Sequence, residues 1–106
     1  MVVVGNRLRM RYEWDPAKSE RNERERGLGF ELASRLFEGP TLEAQDPRHW
    51  SEARVKAIGV IEGRVLVVVY TDRGDARRII SFRDAARAER RAYWRRLRAE
   101  WSDGSD

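Results

Sequence analysis

Three arginines, Arg54, Arg78 and Arg83, stand in or beside segments that read as β-strands, and Glu89 and Tyr93 follow in a segment that reads as a helix. If the strands pair in sequence as a meander, the arginines gather near one side of a sheet, with the helix adjoining. A guanidinium is planar, permanently charged and suited to bidentate contact with phosphate, so the chemistry in view is recognition or cleavage of a phosphodiester. Metal-independent cleavage of RNA needs one group to take the 2′-hydroxyl proton and another to protonate the leaving 5′-oxygen. It also needs positive charge on the pentacoordinate phosphorane. Arginine fills the last role and is a poor proton carrier, with a pKa above about 12. Proton transfer therefore falls to Glu52, Glu89, His49 or Tyr93, or the site works largely by positioning its substrate. The plainer reading of Arg54 and Arg78 is alternation, each pointing to the wet face of an antiparallel sheet. The plainer reading of His49 is a loop residue in the turn after Asp46-Pro47.

Charge distribution sharpens the first reading. The 106 residues carry 22 Lys+Arg against 18 Asp+Glu, a net charge of +4. Residues 1–76 hold 13 of each sign, so the whole excess sits at the C-terminal end. Between Arg77 and Arg98 nine arginines face only Asp84 and Glu89. Twenty of the 22 basic residues are arginine, Lys18 and Lys56 being the exceptions. That local concentration suits an RNA or DNA partner; a coding bias and a solvated helix face are the plainer account.

Other chemistries find little support. With no cysteine, disulfides, thiolate catalysis and cysteine-ligated zinc are excluded. The single histidine and the absence of HExxH, EF-hand or clustered-carboxylate patterns give no metal site, and no glycine-rich phosphate loop is present. No cofactor is expected. Met1-Val2-Val3-Val4 is too short for a signal-peptide core, and no apolar run approaches a membrane span, so a small cytoplasmic domain is expected.

The elements that must position these residues follow from local signals. The content of apolar residues, 41%, is enough for one core, giving a single domain over residues 1–101 and a disordered tail over residues 102–106. Arg9 to Trp14 alternates as a half-buried strand. Asp15-Pro16 starts a polar surface helix that stops at Gly27, held by its ends and by pairs such as Glu20–Arg24. Phe30, Ala33 and Phe37, with Leu36 beside them, predict a short second helix. Thr41 to Gln45 has the composition of a further short strand. Arg54 to Ile61 and Arg64 to Thr71 form a hairpin about Glu62-Gly63, and the second strand's unbroken apolar run predicts burial on both faces. Ala76 to Phe82 is the next strand, and a helix runs from about Asp84 to Trp101. Tyr93, Leu97 and Trp101 can pack on the sheet, leaving Trp94 or Trp101 near a surface. The order β-α-α-β-β-β-α describes an α+β meander with helices against one face of an antiparallel sheet.

Four blocks of the chain, in order and at matching spacing, resemble the BrnT family of bacterial toxins, ribonucleases with a RelE-like fold. They are Glu13-Trp14-Asp15-Pro16-Ala17-Lys18 followed by Asn22; Gly27, Phe30-Glu31-Leu32-Ala33 and Phe37-Glu38; Glu52-Ala53-Arg54, Ile58-Gly59 and Gly63 to Thr71; and Arg78 to Ala85 with Glu89-Arg90 and Tyr93. The resemblance covers roughly Tyr12 to Tyr93. It implies a growth-inhibiting endoribonuclease neutralised by a BrnA-like antitoxin with a ribbon-helix-helix DNA-binding part, the complex repressing its own operon. By motif match it makes Arg54, Arg78, Ser81, Arg83 and Glu89 candidates for catalysis. Lys18, Arg26, Glu52, Arg77, Arg87 and Tyr93 become candidates for RNA contact.

Two positions depart from the family pattern. Many members place Lys-His just before the glycine that ends the first helix, where this chain has Glu25-Arg26. If that histidine moves a proton, its loss predicts a slow or inactive enzyme, with Arg26 left to bind phosphate. Phe82 stands where an alanine is common, and core filling is the favoured reading over stacking on a base. Two further readings therefore stand beside the ribonuclease: a degenerate RNA- or antitoxin-binding module without turnover, and a protein-binding repressor subunit whose arginines meet an acidic partner.

Overall fold

The computed structural model describes residues 2–4, 10–46 and 52–103. In chain order these form β1 (Val2–Val4), β2 (Arg11–Glu13), α1 (Pro16–Arg26), a 3-10 helix (Phe30–Glu38), β3 (Pro40–Gln45), β4 (Val55–Ile61), β5 (Arg64–Arg73), β6 (Ala76–Asp84) and α2 (Arg87–Asp103). The strands make one six-stranded sheet in the order β1-β3-β4-β5-β6-β2. This is the expected α+β class, consistent with a RelE-like toxin fold. The antiparallel meander runs from β3 to β6. β1 was not expected; it pairs antiparallel at one edge with β3, which is the short strand expected over Thr41 to Gln45. At the other edge β2 pairs parallel with β6 rather than antiparallel.

β5 explains the layering. Its run from Val65 to Thr71 is buried throughout, and alternate residues point to opposite faces. Leu66, Val68 and Tyr70 join a cluster with Leu28, Phe30, Ala33, Leu36, Phe37, Ile79 and Phe82, beneath α1 and the 3-10 helix. Val65 and Val67 join Ile58, Ala85 and Tyr93 beneath α2. The helices therefore lie on both faces of the sheet, correcting the expectation of one. A strand apolar on both faces needs cover on both, at roughly 1.5–3 kcal/mol per fully buried aliphatic side chain.

Local chemistry sets each boundary. The Asp15 carboxylate accepts from the Ala17 N–H at 3.0 Å, Pro16 occupies the first helical position, and Gly27 closes α1 in the left-handed conformation. α1 is anchored from its inner side: Ser19 Oγ accepts from the Phe30 N–H, and Asn22 Nδ2 donates to the carbonyls of Leu28 and Phe82, all at 2.8 Å. The expected Glu20–Arg24 pair forms at 4.0 Å between side chains 70% and 74% exposed, so it adds little.

The segment expected as a second α-helix winds instead at three residues per turn. Phe30, Ala33 and Leu36, three apart, stack along one line of such a helix and are all buried. A Cβ on Gly59 would come within 2.8 Å of Leu36 Cγ, so glycine lets this helix lie directly on β4. Glu62 and Gly63 both have positive φ, 50° and 80°, the primed turn that suits a two-residue hairpin. α2 starts at Arg87 rather than Asp84. The Glu89 carboxylate, in its first turn, accepts from the Ala86 N–H at 2.8 Å and caps it. The helix continues to Asp103, into the tail expected to be disordered; residues 104–106 lie outside the described residues.

Candidate functional site

β6 carries a bulge that decides which of its side chains meet. Val69 pairs with Ser81 and Tyr70 with Ile79, so Ile80 is an extra residue in the ladder. Simple alternation would put Arg78 and Ser81 on opposite faces. The bulge resets the count: Arg83, Ser81 and Arg78 pair with Val67, Val69 and Thr71, which share one face of β5. That is the face α2 covers in part. Two rows cross it, Leu42–Ile58–Val67–Arg83 and Ala44–Lys56–Val69–Ser81.

The centre of the cluster is Glu89. Arg83 Nη1 and Nη2 donate to Glu89 Oε1 and Oε2 at 2.8 and 2.9 Å, and Lys56 Nζ donates to Oε2 at 3.0 Å. The bidentate Arg83 contact, the Ala86 N–H and Lys56 hold the Glu89 carboxyl down to about 2 despite its partial burial. A second carboxylate is clamped alongside: Arg54 Nε and Nη2 donate to Glu52 Oε2 at 3.0 and 2.8 Å, and Arg73 Nη2 reaches Oε1 at 3.4 Å. These partners, Arg54 foremost, keep Glu52 below the usual carboxylate range. Thr71 Oγ1 ties this segment to β5 by donating to the Ala53 carbonyl at 2.6 Å. Arg78 is half-buried and makes no ion pair among the described residues.

The face thus presents Arg54, Lys56, Arg73, Arg78 and Arg83 against two carboxylates already engaged. Such a surface attracts and orients a polyanion. Glu52 and Glu89 are held ionised, so they fix cations in place and are poor proton donors near neutral pH. Among the described residues no group of three or more His, Cys, Asp or Glu side chains is arranged to hold a metal ion.

The other candidates fall elsewhere. Arg77 turns to the opposite face and is buried: its guanidinium lies 3.9 Å from the Tyr70 ring centroid and 4.8 Å from that of Phe37, and Asp72 accepts from Nε at 2.8 Å. Tyr93, on the buried side of α2, donates to the Pro40 carbonyl at 2.8 Å, and burial pushes its hydroxyl pKa up. Both serve the core and are out of reach of an RNA in solution. Lys18 and Arg26 belong to α1, on the face away from α2; Arg26 is exposed, and its charge helps hold Asp84 ionised after the larger effect of Arg64. Arg87 is exposed at the start of α2, and Asn22 is a structural anchor. Phe82 fills the core. His49 lies outside the described residues. Lys56 is the site residue that sequence reasoning missed. Its signal was present: one of two lysines in an arginine-rich chain, two positions along a strand from Arg54.

These features define an α+β protein with a cationic sheet face suited to a phosphodiester. Residues 14–89 match the family model described as the ribonuclease toxin, BrnT, of type II toxin-antitoxin systems. The chain belongs to this family of ribonuclease toxins. A comparison with curated proteins gives no match. Among the described residues no helix is long and apolar enough to cross a membrane.

Proposed function

We propose that this chain is an endoribonuclease toxin that cleaves RNA on the β4–β5–β6 face by metal-independent transesterification, acting in the cytoplasm. The observation that carries the reading is the bulge at Ile80, which brings Arg78 onto the face of Ser81 and Arg83. Arg78, Arg83 and Lys56 hold the scissile phosphate and offset the charge that builds on it. Arg54 orients the strand, and Ser81 donates a hydrogen bond to a non-bridging oxygen. Glu89 is a positioning residue that fixes Arg83 and Lys56. The 2′-oxygen attacks phosphorus, the bond to the 5′-oxygen breaks, and the products are a 2′,3′-cyclic phosphate and a 5′-hydroxyl. His49, three residues before Glu52, is the side chain whose ordinary pKa suits the proton transfers. A ribbon-helix-helix antitoxin of the BrnA type neutralises the toxin, and the complex represses the operon.

A second reading, a module that binds RNA or antitoxin without turnover, is favoured by Glu25-Arg26 and by the two clamped carboxylates. Incubating a defined single-stranded RNA in EDTA with wild type and with Arg78→Ala separates the two. Cleavage by wild type alone, ending in cyclic phosphate, supports the ribonuclease. RNA bound and left intact by wild type selects the module.

A further inference from the structure

Beside the cations an apolar hollow of about 270 Å3 opens between the sheet and α2. Leu42 and Ala44 of β3 and Ile58 of β4 line it from the sheet, Ala88 and Ala92 from the helix, and Lys56 and Glu89 complete it. Ala88 and Ala92 are one helical turn apart, so each presents only a methyl group where a longer side chain would occupy the space. Lys56 and Glu89 belong both to this hollow and to the cluster with Arg83. The hollow and the cations are therefore parts of one surface.

We infer that the hollow takes a single nucleobase, turned out of its stack, from an RNA strand whose phosphate lies against Lys56, Arg83 and Arg78; this rests on the ribonuclease reading above. A nucleotide has the matching chemistry, an anionic phosphate joined to a ring with apolar faces. The volume falls just below the roughly 300 Å3 at which sites for drug-sized molecules begin, which suits one base. The aliphatic lining offers shape and contact area. Among the described residues the polar side chains lining it are Lys56 and Glu89, which are bonded to each other, so selection works by base size more than by hydrogen-bond pattern. The substrate class that follows is single-stranded RNA, because a paired base is not free to enter.

The test uses filling variants, Ala92→Leu and Ala88→Leu, in which leucine preserves the helix. Binding is measured with 2′-O-methyl strands, which cannot be cleaved, either carrying bases or abasic throughout. The expected result is that wild type prefers the base-bearing strand. Each filling variant should lose that preference, about tenfold or more, while binding the abasic strand as wild type does. Equal wild-type affinity for the two strands, or an unchanged preference in both variants, overturns the hollow as a base site and leaves the phosphate contacts standing. Loss of antitoxin binding with base preference intact also overturns it, assigning the hollow to a protein side chain. No binding of either strand by wild type overturns the ribonuclease reading along with it.

Discussion

Arg77 and Arg78 are neighbours in β6 and have opposite surroundings. Arg77 lies flat over the Tyr70 ring with Asp72 bonded to both Nε and Nη2, buried beneath the layer that holds α1 and the 3-10 helix. Arg78, on the other face, is half-buried and has no ion pair among the described residues. The first guanidinium is surrounded by its own protein and holds an edge of the core together. The second retains donors for a ligand. Residue type and position in the chain are almost the same, so the face of the sheet and the groups it supplies set the difference. The rest of the molecule follows the same division: the 3-10 helix face is closed by aromatic packing, and the α2 face is left cationic beyond the reach of Tyr93.

The comparison breaks if the two arginines respond alike to substitution. Arg78→Ala should lower RNA cleavage by about 10²–10³-fold, the range for losing one well-aimed charge-stabilising donor, with stability within about 0.5 kcal/mol of wild type. Initial rates and urea melts check both parts. Arg77→Ala should destabilise by about 2–4 kcal/mol, from the lost packing against two rings and the lost Asp72 pair, while cleavage per folded molecule stays near wild type. Arg77→Lys should recover less than half of that, since a point charge cannot lie flat over Tyr70. A thermal shift in Arg78→Ala as large as in Arg77→Ala would end the distinction.

Acid sharpens the same contrast through Glu89. Its folded-state pKa is depressed from 4.5 to about 2. Its contribution is therefore complete above about pH 4.5 and is lost as pH falls toward 2, amounting to about 3 kcal/mol at most. Glu89→Gln should be less stable than wild type at pH 7, and the gap should close near pH 2 in denaturant titrations followed by circular dichroism. A gap that stays constant across that window would mean that the ion cluster adds nothing. The smallest effect is expected far from both arginines: Asp15→Ala removes the α1 cap, at about 1 kcal/mol, and leaves RNA cleavage unchanged in rate assays.

Which parts were legible follows from how local each signal is. α1 could be bounded because Asp15, Pro16 and Gly27 act through their own backbone. The β4–β5 hairpin could be read from Glu62-Gly63 between apolar runs. The cover on both faces was implied by the β5 run itself, although the helices were expected on one. The parallel pairing of β2 was not legible, because alternation in Arg11-Tyr12-Glu13 says which side is buried and nothing about strand direction. The bulge was hidden for a similar reason: in Arg78-Ile79-Ile80-Ser81 nothing marks which isoleucine drops out of the ladder. For the candidate site, type and spacing led to the expectation that Arg54, Arg78, Arg83 and Glu89 gather near one side of the sheet, and the structure places them together there. The burial of Arg77 and Tyr93 depended on partners distant in sequence, Tyr70 and Pro40, which no local pattern reports.

The β2–β6 ladder joins Arg11 to Ala76, 65 residues later in the chain, and the cation cluster waits on Glu89 from the last element. During synthesis β2 is made before β6 and stays without its partner until β6 has emerged. Pairing over such a separation closes a long loop and is slow compared with forming the β4–β5 hairpin. A nascent chain that stops before α2 lacks the carboxylate that sets Arg83 and Lys56 in place. The cation cluster is therefore assembled only when α2 docks on the sheet and brings Glu89 to Arg83 and Lys56.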